Sequence, residues 1–163
     1  MRGFITRLGI GIVAGMILAA ATARADDNDK AEKVPLDKVP KVIMDAIKGR
    51  FPNAEIESVE KEKEDGKIVF DIELKHEGRK YEMDILEDGT IVEIEKEVAA
   101  KDVPEGVTKA VKEKYPGCTI KEVMEVNKVK DKKETPDHYE VTLETADKKK
   151  KEVEVSLDGK IIK

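Results

Sequence analysis

The chain has 163 residues, 41% of them charged and only 4% aromatic, with a formal net charge of −5 and a single cysteine. Such acidity speaks against nucleic-acid binding, which needs a basic patch to meet phosphate. One cysteine excludes an internal disulfide, so the fold stands without staples. The length allows one domain or two small ones, and the regular spacing of apolar residues outweighs the disorder that so much charge would otherwise suggest.

Residues 1–25 read as a secretory signal peptide. Arg2 and Arg7 give the positive start, an uncharged and mostly apolar run follows from Leu8, and Ala23-Arg24-Ala25 supplies the small residues at a cleavage site. The run is shorter than the roughly 20 residues of a spanning helix, so no stable membrane insertion is expected after cleavage. Loss of Arg2, Arg7 and Arg24 takes the formal charge from −5 to −8. Residues 26–36 are polar and charged and read as a flexible leader.

Residues 37–98 form a first repeat. Pro40 is suited to the first turn of a helix, where its missing N–H costs nothing. Ile43, Ala46, Ile47 and Phe51 then fall on one face at spacings of three and four. Pro52 ends the helix by pushing Phe51 out of the α region. Four strands are predicted next. Val59, Lys61 and Lys63 alternate with Ser58, Glu60 and Glu62. Ile68, Phe70, Ile72 and Leu74 alternate with Val69, Asp71 and Glu73. Tyr81, Met83 and Ile85 alternate with Glu82 and Asp84, and Ile91 to Glu95 is the last strand. Asp65-Gly66 and Asp88-Gly89 are turn signals, as is His76 to Arg79.

Residues 99–163 repeat the plan. Val103-Pro104 follows Val39-Pro40 by 64 positions, and Val107, Ala110, Val111 and Tyr115 reproduce the apolar face ahead of Pro116. Strands are predicted from Ile120 to Val129, around Tyr139, Val141 and Leu143, and around Val153 and Val155, with Asp158-Gly159 as the final turn before Lys160 to Lys163. Asn127 to His138, charged and containing Pro136, reads as a loop, and both histidines, His76 and His138, are placed in or beside turns. The expected fold is α+β: two tandem repeats, each a helix packed on a four-stranded antiparallel sheet. Ile47 and Val111 are expected at equivalent buried sites.

The doubled pattern V-P, then A-[IV]-x-x-x-[FY]-P, then alternating strands and a D-G hairpin, resembles the PepSY-like domain, and more narrowly its beta-lactamase-inhibitor-like branch. It is carried by Pro40, Ala46, Ile47, Phe51, Pro52 and Asp88-Gly89, and by Pro104, Ala110, Val111, Tyr115, Pro116 and Asp158-Gly159. The resemblance implies an exported, periplasmic or secreted protein, non-enzymatic, regulating or inhibiting a secreted hydrolase or peptidase. The apolar stripes of the two helices read as core packing, and no cofactor is expected. The chain departs from an aromatic-anchored inhibitor. Trp is absent, and Phe51, Phe70, Tyr81, Tyr115 and Tyr139 all fall on positions assigned to the core, whereas binding hot spots favour Trp, Tyr and Arg.

The candidate site is therefore the polar face of the strands, which is expected to be exposed. In the first repeat it carries Asp71, Glu73, Glu82, Asp84, Glu93 and Glu95. In the second it carries His138, Glu140, Glu144, Glu152 and Glu154. Such a face attracts cations or a basic protein partner in the envelope, or is simply a solvated surface paired with Lys61, Lys63, Lys75 and Lys80. No D-x-D-x-D-G loop makes a calcium site explicit, and no metal ligand set or catalytic pair is assigned. Cys118 reads as a small half-buried residue after the second helix. Two readings of function follow: an exported binding module acting on a secreted enzyme, or a weakly cation-binding or structural envelope protein.

Overall fold

The computed structural model describes residues 31–64 and 66–163; residues 1–25, and with them the signal-peptide reading, lie outside the described residues. The chain order is β1 (Glu32–Lys33), a short 3-10 turn (Leu36–Lys38), α1 (Lys41–Arg50), β2 (Glu55–Glu64), β3 (Lys67–His76), β4 (Arg79–Leu86), β5 (Ile91–Glu97), α2 (Glu105–Lys114), β6 (Thr119–Lys130), β7 (Lys133–Glu144) and β8 (Lys150–Ser156). All strands join one eight-stranded antiparallel sheet in sequence order.

That continuity corrects the expectation of two four-stranded sheets. β5 is not an edge: it pairs with β6 over Glu93↔Lys128 to Glu97↔Met124, so α2 is an excursion between two neighbouring strands. The second unit holds three full strands, and its would-be fourth is a single bridge between Val155 and Ile161. The leader is also corrected where it is described. Glu32 and Lys33 pair with Lys61 and Glu60 and cover the edge of β2.

Each helix forms for the reasons read in the sequence. Pro40 and Pro104 stand one residue earlier than expected, as N-caps, and their carbonyls accept the first helical hydrogen bonds from Ile43 and Met44, and from Val107 and Thr108. Phe51 N–H donates to the Ile47 carbonyl at 2.7 Å and Tyr115 N–H to that of Val111 at 2.9 Å, closing the last turns before proline stops the helix. Ile43 and Ile47 are buried on α1, Val107 and Val111 on α2. Full burial of such side chains contributes about 1.5–3 kcal/mol each.

Two apolar clusters result, both on the same face of the sheet. α1 packs with Val59, Phe70, Ile72, Leu74, Met83, Ile85 and Ile94. α2 packs with Val123, Val141, Leu143, Val153 and Val155. Each helix is also pinned by its Asp-Gly turn. At Gly89 (φ 86°) a Cβ would lie 2.6 Å from Val42 Cγ2, and at Gly159 (φ 79°) one would lie 3.1 Å from the Gly106 backbone. Val42 and Gly106 are themselves equivalent positions at the 64-residue offset, so the repeat extends to this close approach.

The longest hairpin contradicts the sequence reading. Asn127 to His138 is not a loop: β6 and β7 run on to a two-residue turn at Asp131-Lys132, both at positive φ. Pro136 is tolerated because β8 pairs with β7 only from His138 onward, so the proline lies opposite Asn127, beside a bulge, with no strand among the described residues on its other side. The hairpin tip reaches the first unit, where Val129 packs on the α1 cluster and Arg50 pairs with Glu134. Among the described residues, no helix is long and apolar enough to cross a membrane.

Candidate functional site: the acidic sheet face

The registers place every predicted acidic residue on the face opposite the helices. One row runs Asp71–Asp84–Glu93–Lys128 across β3 to β6. The next runs Glu73–Glu82–Glu95–Val126–His138 across β3 to β7. A third carries Glu97–Met124–Glu140–Glu154, and a fourth Glu122–Thr142–Glu152. Glu144 lies at the end of the face, opposite Thr119 and Lys150.

This face is not the exposed surface anticipated. Asp84, Glu93 and Glu95 are buried, at 4%, 6% and 1% exposure. Asp71, Glu73, Glu82, Glu140, Glu144 and Glu154 are half-buried, and only Glu152 is fully exposed. For β5 the reason is the joined sheet. As the edge of a four-stranded unit it would have open water on one side, but in the continuous sheet it has a neighbour on each, about 4.8 Å away. Met124 and Val126, both buried, also fall on this face and were not anticipated there.

Lysines are threaded among the carboxylates. Lys80 Nζ lies 2.9 Å from Glu82, 3.4 Å from Glu122 and 4.0 Å from Glu73. Burial pulls its pKa down, but Glu82, Glu122 and Glu73 outweigh that and hold it above the ordinary lysine value. Lys128 pairs with the buried Glu93. Lys75 pairs instead with Glu57 at 2.5 Å. Ser58 Oγ donates to Glu73 at 2.7 Å. At the far edge, Glu144 is held below the usual carboxylate range by a hydrogen bond from Lys148 and by the charges of Lys121 and Lys148.

His76 is the last residue of β3, beside the Glu77-Gly78 turn as expected, its ring 5.3 Å from that of Phe51. His138 is not beside a turn. His138 lies within β7, 8% exposed, on the acidic face. Its Nδ1 lies 2.9 Å from Asp137 Oδ2, and its Nε2 faces Glu140 Oε1 at 3.7 Å. Among the described residues, His138, Glu140 and Glu154 are the group whose ligand atoms come together, all within 4.8 Å of one another. The sequence carried half of that signal, since His138 and Glu140 alternate on a strand. Glu154 needed the β7–β8 register. Cys118 is half-buried just before β6 and lines a cavity with Val98, Val103, Thr108 and Ile120.

The architecture thus defines a class, a meander sheet with one helix per unit on one face and a carboxylate-rich opposite face. The family described as "Putative beta-lactamase-inhibitor-like, PepSY-like" matches residues 26–93 and again 70–163. The chain belongs to that family. Among solved structures, a BLIP-like protein from Bacteroides fragilis is 22% identical, over 76% of this chain and 83% of that one, with a TM-score of 0.50. A DUF2874 family protein from Bacteroides uniformis is 19% identical, over 77% and 87%, with a TM-score of 0.56. A protein of Bacteroides eggerthii described as "putative periplasmic" is 14% identical, over 76% and 86%, with a TM-score of 0.57. Identities this low show the fold alone. No curated protein matches the chain.

Proposed function

We propose that this chain is an exported, non-enzymatic binding module that regulates or inhibits a secreted hydrolase or peptidase, holding it through the acidic sheet face. The observation carrying this is the gathering of carboxylates from β3, β4, β5, β7 and β8 on one face, opposite both helices. The family and the periplasmic description of one fold neighbour support the compartment. Phe51 and Phe70 are buried in the helix-side core, so recognition here is electrostatic rather than aromatic-anchored, and the partner presents a basic surface. Diffuse cation accumulation is the competing reading of the same face. It differs in requiring no partner and in being screened by salt within about 8–10 Å.

Photocrosslinking in secreting cells separates the two. A photoreactive residue at Glu73 or Glu152 should give a protein adduct, and one at Lys109, on the exposed side of α2, should not. Adducts from Lys109 alone, or none from either acidic position, would contradict the proposal.

A further inference from the structure

At one end of the acidic face, Glu140 on β7 and Glu154 on β8 stand directly opposite each other. Like charges in that position repel and destabilise a strand pair unless something lies between them. His138, two residues along β7, directs Nε2 into the same space. That nitrogen is buried and has no hydrogen-bond partner among the described residues, and its side chain is 10% exposed. On the other edge of the ring, Asp137 Oδ2 sits 2.9 Å from Nδ1. A carboxylate accepting Nδ1–H fixes the tautomer that offers the Nε2 lone pair, the outer-shell arrangement found behind metal-bound histidines.

We propose that His138 Nε2, Glu140 and Glu154 form a binding site for a divalent transition metal ion of the zinc type. The three ligand atoms lie within 4.8 Å of one another. Metal–ligand bonds of about 2.0–2.2 Å place neighbouring tetrahedral ligands about 3.3–3.6 Å apart, so the carboxylates close in by torsion of their own side chains. Three protein ligands leave the fourth position to water or to a donor from a bound partner. Imidazole with two carboxylates suits zinc, whereas calcium requires six to eight oxygens, more than the site provides. Lys163 Nζ lies 3.4 Å from Glu154 Oε1 and is the competing cation. It is 48% exposed, and an ion pair that open is weak and easily displaced. The site does not depend on the partner proposed above.

Titration calorimetry of the metal-free full chain with zinc chloride, in a non-chelating buffer at physiological salt, tests this. One saturable site at micromolar zinc is expected, with calcium giving no saturable signal in the same range. His138→Gln and Glu154→Gln should each weaken zinc at least roughly tenfold, the scale seen when metal sites lose supporting groups. Asp84→Asn should leave it unchanged. Glu154 is half-buried in the last strand, so its variant is expected to fold, and zinc should raise the melting midpoint of the unsubstituted chain but not that of Glu154→Gln. Absence of saturable zinc binding, or binding that survives both substitutions because it sits at His76 or Cys118, would overturn the proposal.

Discussion

Phe51 illustrates how one side chain ties the repeat together. It ends α1, is 4% exposed, meets the Tyr81 and His76 rings in tilted contacts with centroids 4.6 Å and 5.3 Å away, and lies 5.0 Å beneath the Arg50 guanidinium. Phe51→Ala removes a buried ring from a site fixed on three sides, and such truncations cost about 3–5 kcal/mol. A urea midpoint unchanged by the substitution would contradict its role. His138 shows the opposite case, a residue whose neighbours decide its state. Burial pulls its pKa down, but Glu140, Asp137 and Glu154 outweigh that and hold it above the ordinary imidazole value. A proton or a metal ion satisfies the same carboxylates, and the two compete for Nε2.

At the scale of elements, helices and strands differ in how much of them the sequence reveals. The faces of α1 and α2 were legible because burial there follows a 3.6-residue period, and Ile47 and Val111 are buried at equivalent sites, at 1% and 0% exposure. The strands of the first unit were legible from alternation and Asp-Gly turns. The β6–β7 hairpin was not. Pro136 and the run of charge around it look like a loop, and only the absence of a β8 neighbour there explains how the proline is accommodated. The candidate face was legible as a set of carboxylates, but not its burial, which depends on β5 pairing with β6. Nor was the meeting of Glu154 with His138, which depends on register. The Asp-Gly turns carry a prediction of their own. At Gly78 (φ 77°) an added Cβ would meet no described residue within 4 Å, whereas at Gly159 (φ 79°) it would press on the Gly106 backbone. Alanine at either position pays for left-handed backbone, about 1–2 kcal/mol. Gly159→Ala must in addition push α2 off its turn, so it should lower the denaturation midpoint more than Gly78→Ala does. Equal effects would show that the turn does not brace the helix.

At the scale of the whole molecule, one sheet carries two helix-side cores and a single polar face. An isolated unit of this size would bury little apolar surface, and the β5–β6 pairing, with Val129 and Glu134 reaching the first unit, makes the two units one structure. The proposed export has a test of its own in the first 25 residues. Ala23 and Ala25 satisfy the small-residue rule, so the mature chain should begin at Asp26. N-terminal sequencing of the exported protein checks this, and a membrane-bound product retaining Met1 would refute it.

The acidic face is the centre of the functional account, and the salt dependence of partner binding probes it most directly. Once the protein crosslinked through Glu73 or Glu152 is in hand, its affinity for the chain should fall steadily as ionic strength rises, because pairing of exposed opposite charges is screened. The same affinity should fall in the Glu73→Gln/Glu152→Gln double variant, with a shallower salt slope. An affinity that is flat across ionic strength and indifferent to the double variant would contradict recognition through this face.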